Sequence, residues 1–276
     1  MKIAVVGLGI IGGSYCKALK AHTNHYVIGI NRTKSVAEHA LRLGTIDEIG
    51  TPESLGDADI TIVSTYPQAC VDFIKENGQY IKKGSIVTDA AGIKRKICPQ
   101  LTELSQKFGF VYVGSHPMAG KEKNGFDAGD ENLFMGASFL ITPCGADHDS
   151  VNALAKLAIE IGFGTIKMTT PEEHDRMIAF TSQIPHVLAC AYVLSPSCPN
   201  HVGFSAGSYR DVSRVANINS KLWSELFLEN KEPLTEELEV LYRNILEIYK
   251  AIKNEDKETL TELLEKGHQV KQQLRE

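Results

Sequence analysis

Through its first 170 residues the chain alternates short apolar runs with amphipathic stretches. Runs at 2–7, 25–31, 58–65, 84–89 and 110–114 read as strands, and segments near 12–22, 34–43, 67–77 and 94–107 carry apolar residues at helical spacing. This strand–helix rhythm predicts a parallel, doubly wound α/β sheet, because parallel neighbours need a crossover and a helix commonly supplies it. A further apolar run at 137–142, a helix near 148–161 and a strand near 163–169 are expected to complete the same domain. After Thr169, Thr170 and Pro171 the strand signals stop. Pro171 with Glu172 and Glu173 reads as a helix start, since proline is tolerated in the first turn and acidic side chains suit its positive end. Beyond it apolar residues recur at helical spacing, as in Leu238, Leu241, Ile245, Ile248 and Ile252. The reading is therefore an α/β domain over 1–170 followed by an all-helical C-terminal domain over 171–276, with a loop at 195–210 and two helices within 236–274.

At 276 residues the chain is long enough for two cores. Its 29 Lys+Arg against 34 Asp+Glu give a formal charge of −5 and no basic stripe. Nucleic acid is thus disfavoured as a partner, and any anionic ligand must be met by a few local cations. No apolar stretch approaches the roughly 20 residues of a membrane-spanning helix. Met1-Lys2 leads straight into the first strand without a signal-peptide pattern, so the expectation is a cytoplasmic protein without membrane association. The six cysteines, Cys16, Cys70, Cys98, Cys144, Cys190 and Cys198, form no C-x-x-C, which points to reduced thiols and neither a disulfide framework nor a metal site.

Gly7-Leu8-Gly9-Ile10-Ile11-Gly12 lies where the first strand passes into the first helix. Gly7 permits the tight turn, Gly9 lets backbone approach a pyrophosphate, and Gly12 allows close helix-to-strand packing. In that setting G-x-G-x-x-G is a dinucleotide-binding fingerprint, and the sheet is expected to be of Rossmann type. The second strand ends in Asn31-Arg32-Thr33-Lys34, where an NAD-preferring fold usually places a carboxylate for the adenosine ribose. Asn31 does not repel a 2′-phosphate, and Arg32, Thr33 and Lys34 can donate to one, so NADP is favoured, with NAD as the alternative. Ser64, Thr65, Asp89 and Gly92, at the ends of the next two strands, are counted with the six-residue glycine turn as cofactor-binding residues.

Hydride removal from an alcohol needs a base for the hydroxyl proton, and histidine titrates in the useful range. Of nine histidines, His116 stands out because it follows the fifth predicted strand within Gly114-Ser115-His116-Pro117-Met118-Ala119-Gly120, at the carboxyl edge where doubly wound sheets bind ligands. The same segment reads equally as a turn. The helical half offers Ser182-Gln183-Ile184-Pro185-His186 and Tyr209-Arg210-Asp211-Val212-Ser213-Arg214. An arginine there supplies a planar fork for a carboxylate, or pairs with Asp211 on a helix surface.

These motifs, with Thr88-Asp89-Ala90-Ala91-Gly92-Ile93-Lys94, Asn132-Leu133-Phe134, Glu173-His174-Asp175 and Trp223, occur in the order that resembles the prephenate/arogenate dehydrogenases of tyrosine biosynthesis. The resemblance runs nearly end to end. It implies that His116 bonds the ring hydroxyl of prephenate and takes its proton while the ring carbon gives up hydride. Loss of the ring carboxylate as carbon dioxide then yields 4-hydroxyphenylpyruvate. It further implies that Arg214 holds a substrate carboxylate, that His186 meets the pyruvyl side chain, and that Glu122, Asp211 and Trp223 organise or gate the pocket. Ser115 and Gln183 are counted with the substrate site, as is Asn124, whose neutral side chain suits prephenate over arogenate. A homodimer built through the helical domain is implied as well.

Two positions depart from the resemblance. Gly92 stands where many relatives carry a serine that supports the catalytic histidine or the substrate hydroxyl, and Gln183 where they carry another histidine. Ser115 or a water is a candidate substitute for the missing hydroxyl. The alternatives are an arogenate dehydrogenase, another two-domain hydroxyacid dehydrogenase, and a non-catalytic protein that senses NADP(H).

Overall fold

The computed structural model describes residues 1–121 and 123–274. Six parallel strands, β1 (Lys2–Val6), β2 (Tyr26–Ile30), β3 (Glu48–Ile49), β4 (Ile60–Val63), β5 (Ile86–Asp89) and β6 (Val111–Tyr112), form one sheet in the order β3-β2-β1-β4-β5-β6. The helices α1 (Ile10–His22), α2 (Lys34–Arg42), α3 (Pro67–Asn77) and α4 (Ile97–Phe108) supply four of the crossovers. Because both faces of such a sheet are covered, its strands are apolar throughout: Ile3, Ala4 and Val5 have no exposed surface. The chain builds outward from β1 to β3 and then returns to β4 on the other side of β1. That reversal opens a crevice at the carboxyl ends of β1 and β4, the place where doubly wound sheets take ligands. β3, with only two residues, is too short to leave a periodicity in the sequence.

The expectation that 137–142 and 163–169 extend the first domain needs correction in form. They become β8 (Ser138–Thr142) and β9 (Thr165–Met168) of a separate three-stranded sheet, whose first strand is β7 (Gly114–Pro117). β7 pairs antiparallel with β8, and α5 (His148–Glu160) carries the chain from β8 to its parallel neighbour β9. Gly114 makes the passage from one sheet to the other possible, since a Cβ there would lie 2.2 Å from Thr142 Oγ1. His116 therefore sits within a strand and not in a loop after one. Phe134, without exposed surface, stacks on Phe163 at 4.7 Å and lies 4.6 Å from Tyr15, fastening α1 to the second sheet.

From Pro171 onward the described residues form no strand. α6 (Pro171–Ile178) is capped by Thr170, whose hydroxyl accepts the Glu173 N–H at 3.1 Å. A π-helical turn, Ala179–Gln183, follows and leads without a break into α7 (Ile184–Val193), whose second residue is Pro185; proline lacks the N–H of an interior helical bond, and the widened turn lies immediately before it. The predicted loop at 195–210 holds a 3-10 turn, Cys198–Asn200, and the start of α8 (Gly207–Ser213). α9 (Ser220–Glu229), α10 (Lys231–Lys253) and α11 (Lys257–Gln273) complete the helical part.

Replacing Phe134 by Ala leaves a cavity between the rings of Tyr15 and Phe163, and a loss of about 3–5 kcal/mol is expected. Urea denaturation should show a lower midpoint at an unchanged slope.

Candidate active site

The glycine turn is shaped by two steric demands and one opening. Gly7 has φ +86°, and a Cβ on it would come 2.5 Å from the Ser64 carbonyl oxygen. A Cβ on Gly12 would meet the Gly7 carbonyl oxygen at 1.9 Å. Gly9 is different, because a Cβ there would meet nothing within 4 Å. Packing within the protein thus does not require glycine at position 9, and the backbone there is open to close approach. Gly9 is also the N-cap of α1, whose first turn holds no acidic residue and whose leading N–H groups face that space. The donor set fits a pyrophosphate. Ser64 and Thr65, following β4, close the opposite side of the turn.

Asn31 ties this turn to the next helix: its Oδ1 accepts the Leu8 N–H at 2.9 Å and its Nδ2 donates to the Thr33 carbonyl at 3.0 Å. Leu8 itself is buried, so its share in the cradle is backbone only. Arg32, Thr33 and Lys34 are exposed around the start of α2, which has no side-chain cap and no acidic residue in its first turn.

Asp89 does not reach the cofactor cleft. It is fully buried, and its carboxylate accepts Lys94 Nζ at 2.6 Å, the Ala91 N–H at 2.8 Å, the Tyr112 hydroxyl at 2.8 Å and the Ser115 N–H at 3.3 Å. Lys94, equally buried, donates also to the Ala91 carbonyl at 2.7 Å. Burial pushes the Tyr112 phenol far above its ordinary range, with the Asp89 charge adding to the effect. Ser115 is likewise no substrate contact: without exposed surface, it donates to the Asp89 carbonyl at 2.6 Å and accepts the Thr88 hydroxyl at 2.8 Å. Neither can it replace the hydroxyl missing at Gly92.

His116 is half-buried on β7, and a Cβ on Gly92 would lie 3.8 Å from its Cε1 and 3.4 Å from Leu226. Its Nδ1 lies 3.0 Å from Nε2 of His174, whose Nδ1 lies 2.7 Å from Asp175 Oδ1. Asp175 also accepts the backbone N–H groups of Lys94 at 2.7 Å and Arg95 at 2.9 Å. Burial first, then His174 and the Lys94 charge, hold the His116 imidazole well below the usual histidine range, so the ring is a neutral proton acceptor at physiological pH. His174, Asp175 and Lys94 stand in the motifs quoted above without a role assigned. The His-Asp dipeptide was the one available signal, and no spacing rule connects residue 116 to residue 174.

On the helical side, the His186 ring stacks on Trp223 with centroids 3.6 Å apart, and its Nδ1 donates to the Ser182 carbonyl at 2.8 Å. α7 packs on the 3-10 turn Arg214–Ala216, so His186, Trp223 and the exposed Arg214 lie in one neighbourhood, with Asp211 exposed on the last turn of α8. Gln183 does not line this surface. It is buried, donating to the Leu226 carbonyl at 3.3 Å and accepting Asn230 Nδ2 at 2.8 Å, and so acts as packing between helices. Asn124 lies in an exposed segment after β7, while Glu122 lies outside the described residues. Across the seam, the Asn219 amide donates to the Tyr66 hydroxyl at 3.0 Å and Glu225 accepts the Gln68 N–H at 3.2 Å, which brings α9 over the start of α3.

Two family models match the chain: "Prephenate dehydrogenase, nucleotide-binding domain" over residues 15–166 and "Prephenate dehydrogenase, dimerization domain" over residues 170–266. The chain is 30% identical to a prephenate dehydrogenase of Bacillus subtilis over 268 residues, covering 94% of this chain and 72% of that protein. It is 30% identical over 273 residues to a cyclohexadienyl dehydrogenase of Zymomonas mobilis, covering 94% and 91%. The crystal structure of Synechocystis arogenate dehydrogenase superposes with a TM-score of 0.83 at 27% identity, covering 99% of both chains.

Replacement of Lys94 by Met strands the Asp89 carboxylate in the interior, and a loss of roughly 3–5 kcal/mol is expected on chemical denaturation. Adding Asp89→Asn to that variant should recover part of it, because the stranded charge is then gone.

Proposed function

The chain belongs to the prephenate dehydrogenase family of NAD(P)-dependent oxidoreductases, and we propose that it oxidatively decarboxylates prephenate to 4-hydroxyphenylpyruvate in tyrosine biosynthesis. The observation that carries this reading is His116, a neutral, desolvated imidazole at the edge of the cofactor crevice whose Nε2 accepts no hydrogen bond from the described residues. In the proposed reaction His116 takes the proton of the ring hydroxyl. The nicotinamide, when bound, supplies the hydride acceptor. As the ring carbon becomes a carbonyl, the bond to the ring carboxylate breaks, carbon dioxide leaves, and the electron pair enters the ring to make it aromatic. Arg214 offers a fixed planar cation to a substrate carboxylate, and His186 meets the pyruvyl side chain through Nε2, held by Trp223 and Ser182. The uncharged Asn124 favours a keto side chain over the ammonium of arogenate, which asks for a carboxylate partner. Arogenate remains the competing substrate.

The reading divides the chain into a dinucleotide-binding domain over 1–170 and a helical substrate and dimerisation domain over 171–276. A homodimer through the helices is supported by an apolar stripe on α10, Tyr242, Ile245, Tyr249 and Ile252, each about half exposed or more in the single chain. Among the described residues no helix is long and apolar enough to cross a membrane, and no His, Cys, Asp or Glu cluster could hold a metal ion. We place the enzyme in the cytoplasm, with NADP preferred to NAD.

Reduced cofactor formed with prephenate and with arogenate, assayed side by side, tests the function. Prephenate should give the higher specificity constant. His116→Asn should keep cofactor affinity and lower turnover by on the order of a hundredfold or more. Near-normal turnover in that variant removes His116 from the mechanism.

Asn31→Asp should move preference toward NAD by setting a carboxylate against the 2′-phosphate, while the Leu8 N–H keeps its acceptor. Titration of the wild type with both cofactors checks the premise, and clearly tighter NAD binding refutes it.

A further inference from the structure

We propose that His174 and Asp175 are positioning residues that fix which ring nitrogen of His116 is free to take the substrate proton, and that they do so across the seam between the sheet and the helices. This deepens the reading above and rests on His116 being the base.

The direction of each hydrogen bond follows from Asp175. Its Oδ1 accepts the Lys94 N–H at 2.7 Å and its Oδ2 the Arg95 N–H at 2.9 Å, so the carboxylate is held as an acceptor on both oxygens. His174 Nδ1, 2.7 Å from Oδ1, must then carry a proton and donate. A neutral imidazole has a single N–H, which makes His174 Nε2 an acceptor. His116 Nδ1, 3.0 Å away, donates to it. The one N–H of His116 is thereby committed, and its Nε2 keeps the lone pair that a base requires. Were His174 to gain a proton, this order would fail: a cationic His174 would donate to His116 and push its N–H onto Nε2.

The surroundings oppose that protonation. The charged groups facing the two rings are Asp89 at the end of β5, Lys94 from the connection between β5 and α4, and Asp175 on α6 itself. Burial lowers both imidazoles and Lys94 adds to it, and for His174 burial outweighs the nearby carboxylates. Gly92, the residue lying against His116 Cε1, has no side chain with which to orient the ring, so among the described residues His174 is the side chain that bonds it. Because Asp175 accepts from the segment before α4 and its own carbonyl accepts Asn230 Nδ2 at 2.9 Å, the relay forms only when α6 and the start of α10 are docked on the sheet edge. Docking of the helices thus sets the proton state of the base.

Imidazole ¹⁵N NMR of the full-length protein, with kinetics of His174→Leu, His174→Gln and Asp175→Asn, tests the proposal. In the wild type, His116 should show a protonated Nδ1 and an unprotonated Nε2. His174→Leu should lower kcat by roughly tenfold or more, since a base without its partner populates the wrong tautomer, with KM for substrate and cofactor unchanged. The acid limb of its pH profile should move further down, because the neutral Nε2 that accepts the His116 Nδ1–H also stabilises the cationic ring, while the burial that lowers the group is kept. His174→Gln, which retains an acceptor, should recover part of the loss. The proposal is overturned by a wild-type His116 protonated on Nε2, by a His174→Leu variant with wild-type kcat and pH profile, or by losses of thermal stability, cofactor affinity and turnover that run in parallel with an unmoved profile. If His116→Asn is itself active, the base reading falls first. If His116→Asn is inactive while His174→Leu is unaffected, only the positioning role falls.

Discussion

A lysine ammonium shut off from water has to be met by a carboxylate and by carbonyls, and meeting it at Lys94 shapes the sheet edge that carries His116. Asp89 ends β5 with its side chain turned inward to Lys94. In that position it also holds Tyr112 of β6 and the Ser115 N–H of β7, the strand that carries His116. One residue's charge balance therefore fixes three strands relative to one another. The backbone of the same lysine, together with Arg95, donates to Asp175 and so docks the first helix of the C-terminal part. Such a network is costly to leave half-made, which explains why so many of its members have no exposed surface.

The cofactor side is governed by sterics instead. Gly7 and Gly12 are glycine because neighbouring backbone oxygens occupy the space a Cβ would need; Gly9 is glycine although the protein leaves that space open. The contrast separates the glycines that build the turn from the one whose open side faces outward. Asn31 is a builder too, for its uncharged amide bonds the glycine turn at one end and the start of α2 at the other. A side chain with a structural bond at each end is held in one orientation.

Much of this was legible in the sequence. The strand and helix rhythm of the first half, the glycine turn and the switch to helices after Pro171 follow from local rules: periodicity, backbone permissiveness and the missing N–H of proline; His116 was singled out as a candidate by its position and the titration range of imidazole. These signals are local because each reports on one element's own burial or backbone conformation. The two-residue β3 fell below the length at which periodicity exists. The placement of β7 in a second sheet depended on Gly114 clearing Thr142, a contact between residues 28 positions apart in the chain.

What tertiary structure alone decided is where the polar residues spend their hydrogen bonds. Asp89, Ser115 and Gln183 look in the sequence like ligand contacts, because Asp, Ser and Gln are ordinarily exposed; the fold buries all three and satisfies them internally. His174 and Asp175, unassigned from the sequence, meet His116 only because α6 docks against the segment before α4. A sequence determines which groups can donate, accept or titrate. Which partner each one finds, and so whether a carboxylate binds ligand or braces the base, depends on three-dimensional distance and exclusion of water, and neither is a property of residue order.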